Sequence, residues 1–328
     1  MKKAEYSERG PVPQDVIEAV DFELPPLQSG EVLVEVLAAP INPSDVLTLT
    51  GQYGSLPPLP AVGGNEGVGR VIEVASDVRT HAPGQRVLLP IGNGTWRTHM
   101  VADVRALVSL PAAGDAAQMA MLAVNPPTAA LLLSEFATLA SGEWIIQNAA
   151  NSAVGTYLMQ LARLRGYNTV NVVRRESARA AAEESGGDVV LVDGDHLAKR
   201  VAEATGGAKM RLAIDSVGGG ATERLAQCLA PGGVVVNYGA MSGEACKLSP
   251  ASLIFRDISL RGFWLARWLQ RESPSRRAAL FGELAAFIAD GTLKTRIAAT
   301  YPIEQIKDAI AAAAAGERDG KIVLLPNG

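Results

Sequence analysis

From residue 144 onward the chain alternates. Apolar, β-branched runs (WIIQNA, TVNVVR, DVVLVD, RLAIDSV and GGVVVNYG) are separated by amphipathic stretches. Strands separated by helices of roughly ten to fifteen residues cannot be joined as hairpins; each must cross over to lie parallel to a neighbour. The rhythm predicts an α/β architecture built on a doubly wound parallel sheet. In the first of these helices Val154, Leu158, Leu161 and Ala162 fall on one face, the face expected to cover the sheet. A further strand, ISLRGFWL, follows after a loop.

The chain ahead of this array has a different texture. EVLVEVLAAPI, GVGRVIEVAS and QRVLLPIG are strand-like and punctuated by Pro, Gly and Asn, which predicts a compact β-rich domain. A helical stretch around 118–136 marks the change between the two. The end of the chain returns to a strand, a helix and a strand. At 328 residues the chain has room for two domains.

Composition narrows the partners. A formal charge of −4 gives no reason to expect nucleic acid or an anionic membrane surface. The most apolar segment, MAMLAVNPPTAALLL, is broken by two prolines and too short to span a bilayer. Two cysteines, Cys228 and Cys246, build neither a disulfide framework nor a Cys-rich zinc site. No apolar stretch follows the first lysines, and with so few cysteines the expected setting is cytoplasmic.

The turn between the first strand and first helix of the array reads QNAANSAVG. In this position a pyrophosphate is held by backbone N–H groups and the positive end of the helix dipole. Glycines normally permit the close approach. Here an A-x-S-x-x-G pattern places Ala150, Ser152 and Gly155 at the corresponding positions, with Asn151 beside them and Val154 opening the helix. Alanine and serine are the smallest substitutes, so the expectation is a dinucleotide site. The second strand ends in Arg174 and Arg175, where an acid would bind the ribose 2′-hydroxyl of NAD. A guanidinium there suits a 2′-phosphate, so the expected cofactor is NADPH.

With these residues in place, the chain resembles the medium-chain dehydrogenase/reductases, and within them the mitochondrial-type trans-2-enoyl thioester reductases. The resemblance rests on INPSDVLTLTGQYGSLPPLPAVGGNEGVG, GTWRTH with AVNPPTAALLL, QNAANSAVG with NVVRRES, FRDISLRGFWLARW and the terminal GKIVLL. It implies a GroES-like substrate domain over 1–115 and 297–328 and a Rossmann-type NADPH domain over 116–296. In zinc members a cysteine precedes the INPSD-like aspartate and a histidine stands at Asn65; here neither is present, so no metal is expected.

The reaction implied is reduction of the double bond of an enoyl thioester, with hydride added at the β-carbon and a proton at the α-carbon. The resemblance makes Tyr53, in GQYG, the proton donor or enolate partner; a loop tyrosine of no special role is the alternative. It places Trp264 at the acyl pocket, against a plain core role. Asn42 and Asn65 are implied to position the nicotinamide or the loops around it. Asn125 and Thr128 contact the nicotinamide side or cap a helix. Tyr238, Gly239, Phe263 and Lys321 complete the implied cofactor set. Arg267, Arg271, Arg276 and Arg277 meet the phosphates of coenzyme A or an acidic acyl carrier protein, or else only solvent. The implied assembly is a homodimer formed near ISLRGFWL. Two other readings stay open: a zinc-free NADPH:quinone oxidoreductase, and an NADPH-binding protein without turnover.

Overall fold

A computed structural model describes residues 1–316 and 319–328. In chain order its strands are β1 (Lys2–Tyr6), β2 (Glu18–Asp21), β3 (Glu31–Ile41), β4 (Ala61–Val62), β5 (Val68–Val74), β6 (Arg86–Leu88), β7 (His99–Asp103) and β8 (Val108–Ser109). There follow β9 (Trp144–Gln147), β10 (Asn168–Val173), β11 (Val189–Val192), β12 (Met210–Asp215), β13 (Leu229–Asn237), β14 (Ser259–Gly262), β15 (Ile297–Tyr301) and β16 (Lys321–Leu324).

The chain divides into two compact units, residues 1–124 with 278–328, and residues 125–277. The changeovers lie at 124/125 and 277/278, not at the 115/116 and 296/297 read from the sequence. One reason is Gln118, whose amide donates to Thr295 O at 2.9 Å and accepts from Thr295 N at 3.0 Å. The long helical stretch expected over 118–136 is instead a short helix, Ala116–Met119, in the first unit and a helix Asn125–Leu132 in the second. Pro126 and Pro127 are tolerated only because they occupy the first turn of that second helix, where their missing N–H groups have no intrahelical partner.

The first unit is β-rich. One sheet runs β15-β16-β3-β5-β6-β8, with β7 also paired to β3, and a second runs β2-β1-β4. Strand β3 alternates half-buried and buried positions over its first half and is wholly buried from Ala38 to Ile41. Its last residues take β16 antiparallel, Ile322 opposite Ile41 and Leu324 opposite Ala39. The C-terminal segment thus completes the sheet that the N-terminal segment began. Val34, Val36, Ile41, Trp96, Ile306 and Ile322 share one core.

The second unit is a six-stranded sheet in the order β11-β10-β9-β12-β13-β14, parallel throughout. The order reverses between β9 and β12. In such sheets ligands bind beyond the carboxyl ends of the strands at this switch point. The helix Ala153–Leu164 buries Val154, Leu158, Leu161 and Ala162, as its periodicity predicts. The last strand is shorter than ISLRGFWL suggests: it ends at Gly262, and Trp264 caps a new helix, Leu265–Arg271. Among the described residues no helix is long and apolar enough to cross a membrane.

Candidate functional site

In the first unit the end of β3 and the following helix, Pro43–Leu49, gather a buried polar cluster. Asn42 is the N-cap of that helix, and its backbone N–H donates to Asp45 Oδ2 at 2.7 Å. Its side-chain amide donates to Glu66 Oε1 at 2.7 Å, while Asn42 Oδ1 accepts from Lys321 Nζ at 2.5 Å. Lys321 also donates to Ile41 O at 3.0 Å. Asn65 donates to Asp45 Oδ1 at 2.7 Å, and Thr95 donates to Glu66 O at 2.7 Å. Two carboxyls and one ammonium are therefore enclosed together. Burial pushes Asp45 up to about 6 and Glu66 up to about 7, and the Lys321 charge opposes both shifts.

Tyr53 lies half-buried on the loop that follows the same helix. Its backbone N–H donates to Leu47 O at 3.2 Å. Neighbouring bonds fix that loop from the N-terminal segment: Gly10 N donates to Leu49 O at 3.2 Å, and the Arg9 guanidinium donates to Pro57 O. The sequence places Asn42, Asn65, Lys321 and Tyr53 in this unit, and the first three meet in one cluster.

In the second unit the turn after β9 lies at the switch point. Ala150 is buried, and its N–H donates to Val172 O at 3.2 Å. Ser152 is the N-cap of the helix Ala153–Leu164 and accepts from Gly155 N at 3.1 Å. A Cβ on Gly155 would lie 2.5 Å from Ala150 O, so only glycine fits against this turn. Burial raises the pKa of Tyr238, and the neighbouring Ser216 and Ser152 oppose that shift. A Cβ on Gly239 would lie 2.8 Å from Ser216 O. Ala150, Asn151, Ser152, Gly155, Tyr238 and Gly239 are thus drawn to one end of the sheet.

Arg174 follows the last residue of β10 and is exposed, and Arg175 beside it is half-buried. Asn125 and Thr128 are buried in the first turns of the helix Asn125–Leu132. Phe263 packs edge-on to Phe136 with ring centroids 5.9 Å apart. Trp264 is 44% exposed, so it is not a core residue. Of the four arginines that follow it in sequence, Arg267, Arg271 and Arg276 are exposed and Arg277 is half-buried; Arg276 is engaged by Glu135 and Glu272 and lies over the Trp268 ring.

Several residues at these two places are not among those singled out from the sequence. They are Asp45, Glu66 and Thr95 in the first unit, and Asn148, Asp215, Ser216 and Asn237 in the second. Asp215 is fully buried at the carboxyl end of β12 and accepts hydrogen bonds from Asn148, Val217 N, Gly218 N, Thr222 and Asn237. A polar residue ending an apolar strand, as in RLAIDSV, was the available signal.

The donor set at the switch point fits a dinucleotide phosphate. The turn leads into the N-terminus of a twelve-residue helix, where the positive end of the helix dipole lies, small residues line it, and an exposed guanidinium follows the second strand.

Two family models match the chain: an alcohol dehydrogenase GroES-like domain over residues 28–112 and a zinc-binding dehydrogenase over residues 153–280. The mitochondrial enoyl-[acyl-carrier-protein] reductase of Rattus norvegicus is 40% identical over 309 residues, covering 92% of this chain and 82% of that protein. The protein of the same name from Homo sapiens is 37% identical over 306 residues, with the same coverage. Among solved structures, the Etr1p/NADP/crotonyl-CoA complex superposes with a TM-score of 0.88 at 28% identity over 99% of each chain. A putative NADPH:quinone reductase from Bacillus thuringiensis gives 0.89 at 29% identity, over 99% of this chain and 98% of that one.

The cytoplasmic expectation is overturned by these relatives, which are named as mitochondrial. Zinc, which one family description implies, does not fit the donor set here. Asn42, Asn65 and the Lys321 ammonium occupy the polar cluster of the first unit, and an ammonium offers no lone pair to a metal. Among the described residues no three His, Cys, Asp or Glu side chains are grouped to hold a metal ion.

Proposed function

The chain belongs to the medium-chain dehydrogenase/reductases, in the branch of the mitochondrial-type enoyl thioester reductases, and from that premise we propose that it reduces the carbon–carbon double bond of a trans-2-enoyl thioester with NADPH. The observation that carries this reading is the match over 92% of the chain to proteins named enoyl-[acyl-carrier-protein] reductase. The fold agreement with a protein solved with NADP and crotonyl-CoA supports the same cofactor and substrate class.

NADPH, when bound, supplies the hydride for the β-carbon. The second unit, residues 125–277, holds it. Ala150, Asn151, Ser152 and Gly155 receive the pyrophosphate at the helix start, with Val154 packing that helix to the sheet. Arg174 and Arg175 take the 2′-phosphate. Tyr238, Gly239, Asn125, Thr128 and Phe263 orient the nicotinamide side.

The first unit, residues 1–124 and 278–328, presents the acyl substrate with its donors. The Tyr53 hydroxyl donates to the thioester oxygen as enolate character develops, or delivers the α-proton. Asn42, braced by Lys321 and Glu66, and Asn65, braced by Asp45, are held rigid for contacts with the reacting groups. From the second unit, Trp264 is assigned to the acyl chain, in keeping with its exposure.

The thioester carrier is coenzyme A or an acyl carrier protein. The exposed Arg267 and Arg271 suit the phosphates of the first or the acidic surface of the second. A homodimer fits the edge strand β14, exposed at all four residues, which offers unpaired backbone groups to a second copy. Leu253, Ile254 and Phe255, just ahead of it, are also exposed, Phe255 by 83%.

A second reading, NADPH:quinone reduction, is favoured by the likeness to the Bacillus thuringiensis protein. The deciding experiment follows NADPH oxidation with crotonyl-CoA, a medium-chain enoyl-CoA and a small quinone in parallel, with NADH as the control. Enoyl-CoA turnover that prefers NADPH and falls about tenfold or more in Tyr53→Phe, over about 1.4 kcal/mol of barrier, supports the first reading. Quinone turnover alone, indifferent to Tyr53→Phe, replaces it with the second.

A further inference from the structure

The cofactor turn QNAANSAVG reverses direction without a glycine at its bend. That work falls to Ala149, whose φ is 48°, in the left-handed region that L-residues other than Asn and Asp rarely adopt. An alanine left to itself leaves this region. Something must therefore hold both of its neighbours.

On one side the holder is Asn148. Its backbone N–H donates to Ile214 O at 3.1 Å, its side-chain amide donates to Asp215 Oδ1 at 2.6 Å, and its Oδ1 accepts from Ser216 N at 2.7 Å. Three bonds tie a single residue to the end of β12. On the other side Ala150 N is tied to Val172 O of β10 at 3.2 Å, and Ser152 N closes back on Ala149 O at 2.9 Å. Ala149 bridges two fixed points.

Asp215 is itself fixed. Thr222 and Asn237 donate to its second oxygen at 2.7 and 3.1 Å, and Val217 N and Gly218 N donate to its first at 2.9 and 3.1 Å. Asn237 also donates to Gly239 O at 2.8 Å, so the same hub sets the next loop.

We propose that Asn148, anchored by Asp215, is a positioning residue that imposes the left-handed bend at Ala149 and so preforms the phosphate-binding turn, doing by side-chain clamping what glycines do elsewhere by freedom of backbone. The proposal rests on the reading of this turn as the NADPH site. It makes Asn148 act through backbone shape rather than through contact with the cofactor. If Asn148 is lost, Ala149 relaxes toward negative φ and the N–H groups of the helix start are no longer aimed together. A glycine at 149 accepts the bend without the clamp.

The test is a double-mutant cycle read by NADPH affinity of the purified apoprotein, from nicotinamide fluorescence, with thermal unfolding measured alongside. Asn148→Ala is expected to weaken NADPH binding by about tenfold or more, and Ala149→Gly alone to stay within about threefold of wild type. The double variant is expected to recover to within about threefold of Ala149→Gly, a rescue that neither lost cofactor contact nor general destabilisation produces. If Asn148→Ala binds NADPH within about twofold of wild type, or if Ala149→Gly gives no rescue, the proposal is overturned. Should Asn148→Ala fail to fold, Asn148→Ser is taken through the same cycle with the same criteria. Absence of NADPH binding by the wild-type protein would instead remove the cofactor reading itself, a result distinct from failure of the clamp.

Discussion

Lys321 Nζ lies 2.5 Å from Asn42 Oδ1 across 279 residues of sequence, and both residues are almost wholly buried. The ammonium is the positive partner of two enclosed carboxyls, Asp45 and Glu66, and its hydrogen bond to Asn42 fixes the amide that Glu66 accepts from. Charges so enclosed are costly to separate, because water cannot replace the missing partner.

Replacing Lys321 by Met keeps most of the side-chain volume and removes the charge. The expected loss of stability is about 3 kcal/mol at pH 8, where Asp45 and Glu66 are ionised. At pH 5, below the values of about 6 and about 7 to which they are raised, both can take up protons and the loss is smaller. Urea unfolding at the two pH values checks this; an equal loss at both would show that the charge is not what matters.

Glu66→Gln isolates one carboxyl. In the folded protein Glu66 is raised from 4.5 to about 7, so its contribution to stability is present below about pH 4.5 and is lost as pH rises through about 7. The variant has no such loss. Wild-type stability minus that of Glu66→Gln is therefore expected to fall between pH 4.5 and pH 8. The surface carboxylates remain in both proteins and largely cancel, whereas the Asp45 charge, which raises Glu66, adds to the fall in the wild type. A flat difference, measured by denaturant unfolding across this range, would contradict the burial argument.

Arg174→Glu is expected to raise the KM for NADPH about tenfold or more while improving use of NADH, because a carboxylate repels the 2′-phosphate and accepts from a 2′-hydroxyl. Initial rates with each cofactor measure the switch. Unchanged preference would assign the 2′-phosphate elsewhere.

Gly155→Ala places a methyl 2.5 Å from the carbonyl oxygen of Ala150, and a backbone atom cannot swing aside. The helix must shift from the turn, at a cost of about 1–3 kcal/mol, and NADPH affinity is expected to fall with it. Thermal unfolding and cofactor titration report the two effects separately.

Leu260→Lys on the exposed edge strand β14 is expected to lower the self-association constant without unfolding the monomer, since edge lysines oppose strand pairing. Sedimentation velocity over a range of concentrations measures it. Wild-type protein that sediments as a monomer throughout would remove the dimer.

The parallel sheet is legible in sequence because each strand is a short apolar run bounded by turn residues, and the helix Ala153–Leu164 because its apolar positions recur on one face. The cofactor turn is legible from its place between β9 and that helix. The polar clusters are not. Asn148 and Asp215 are 67 positions apart, and nothing local marks either as the other's partner. Glu66 and Asp45 sit inside quoted motifs, yet their burial depends on β16 arriving beside β3. The strand expected through Trp264 stops at Gly262, since the chain turns there into the helix Leu265–Arg271. Propensity did not reveal that stop, because ISLRGFWL suits a strand throughout.

The pairing of β16 with β3 sets a timetable for synthesis. Residues 125–277 form one continuous stretch and can close as a unit while the ribosome is still translating. The earlier-made residues 1–124 cannot do the same, because the strand beside Ala39–Ile41 and the ammonium between Asp45 and Glu66 are both carried by residues 321–324. The part of the chain made first is thus the last to finish folding. Until then its hydrophobic β3 edge is open, a nascent-chain interval in which chaperone capture or mispairing has its best opportunity.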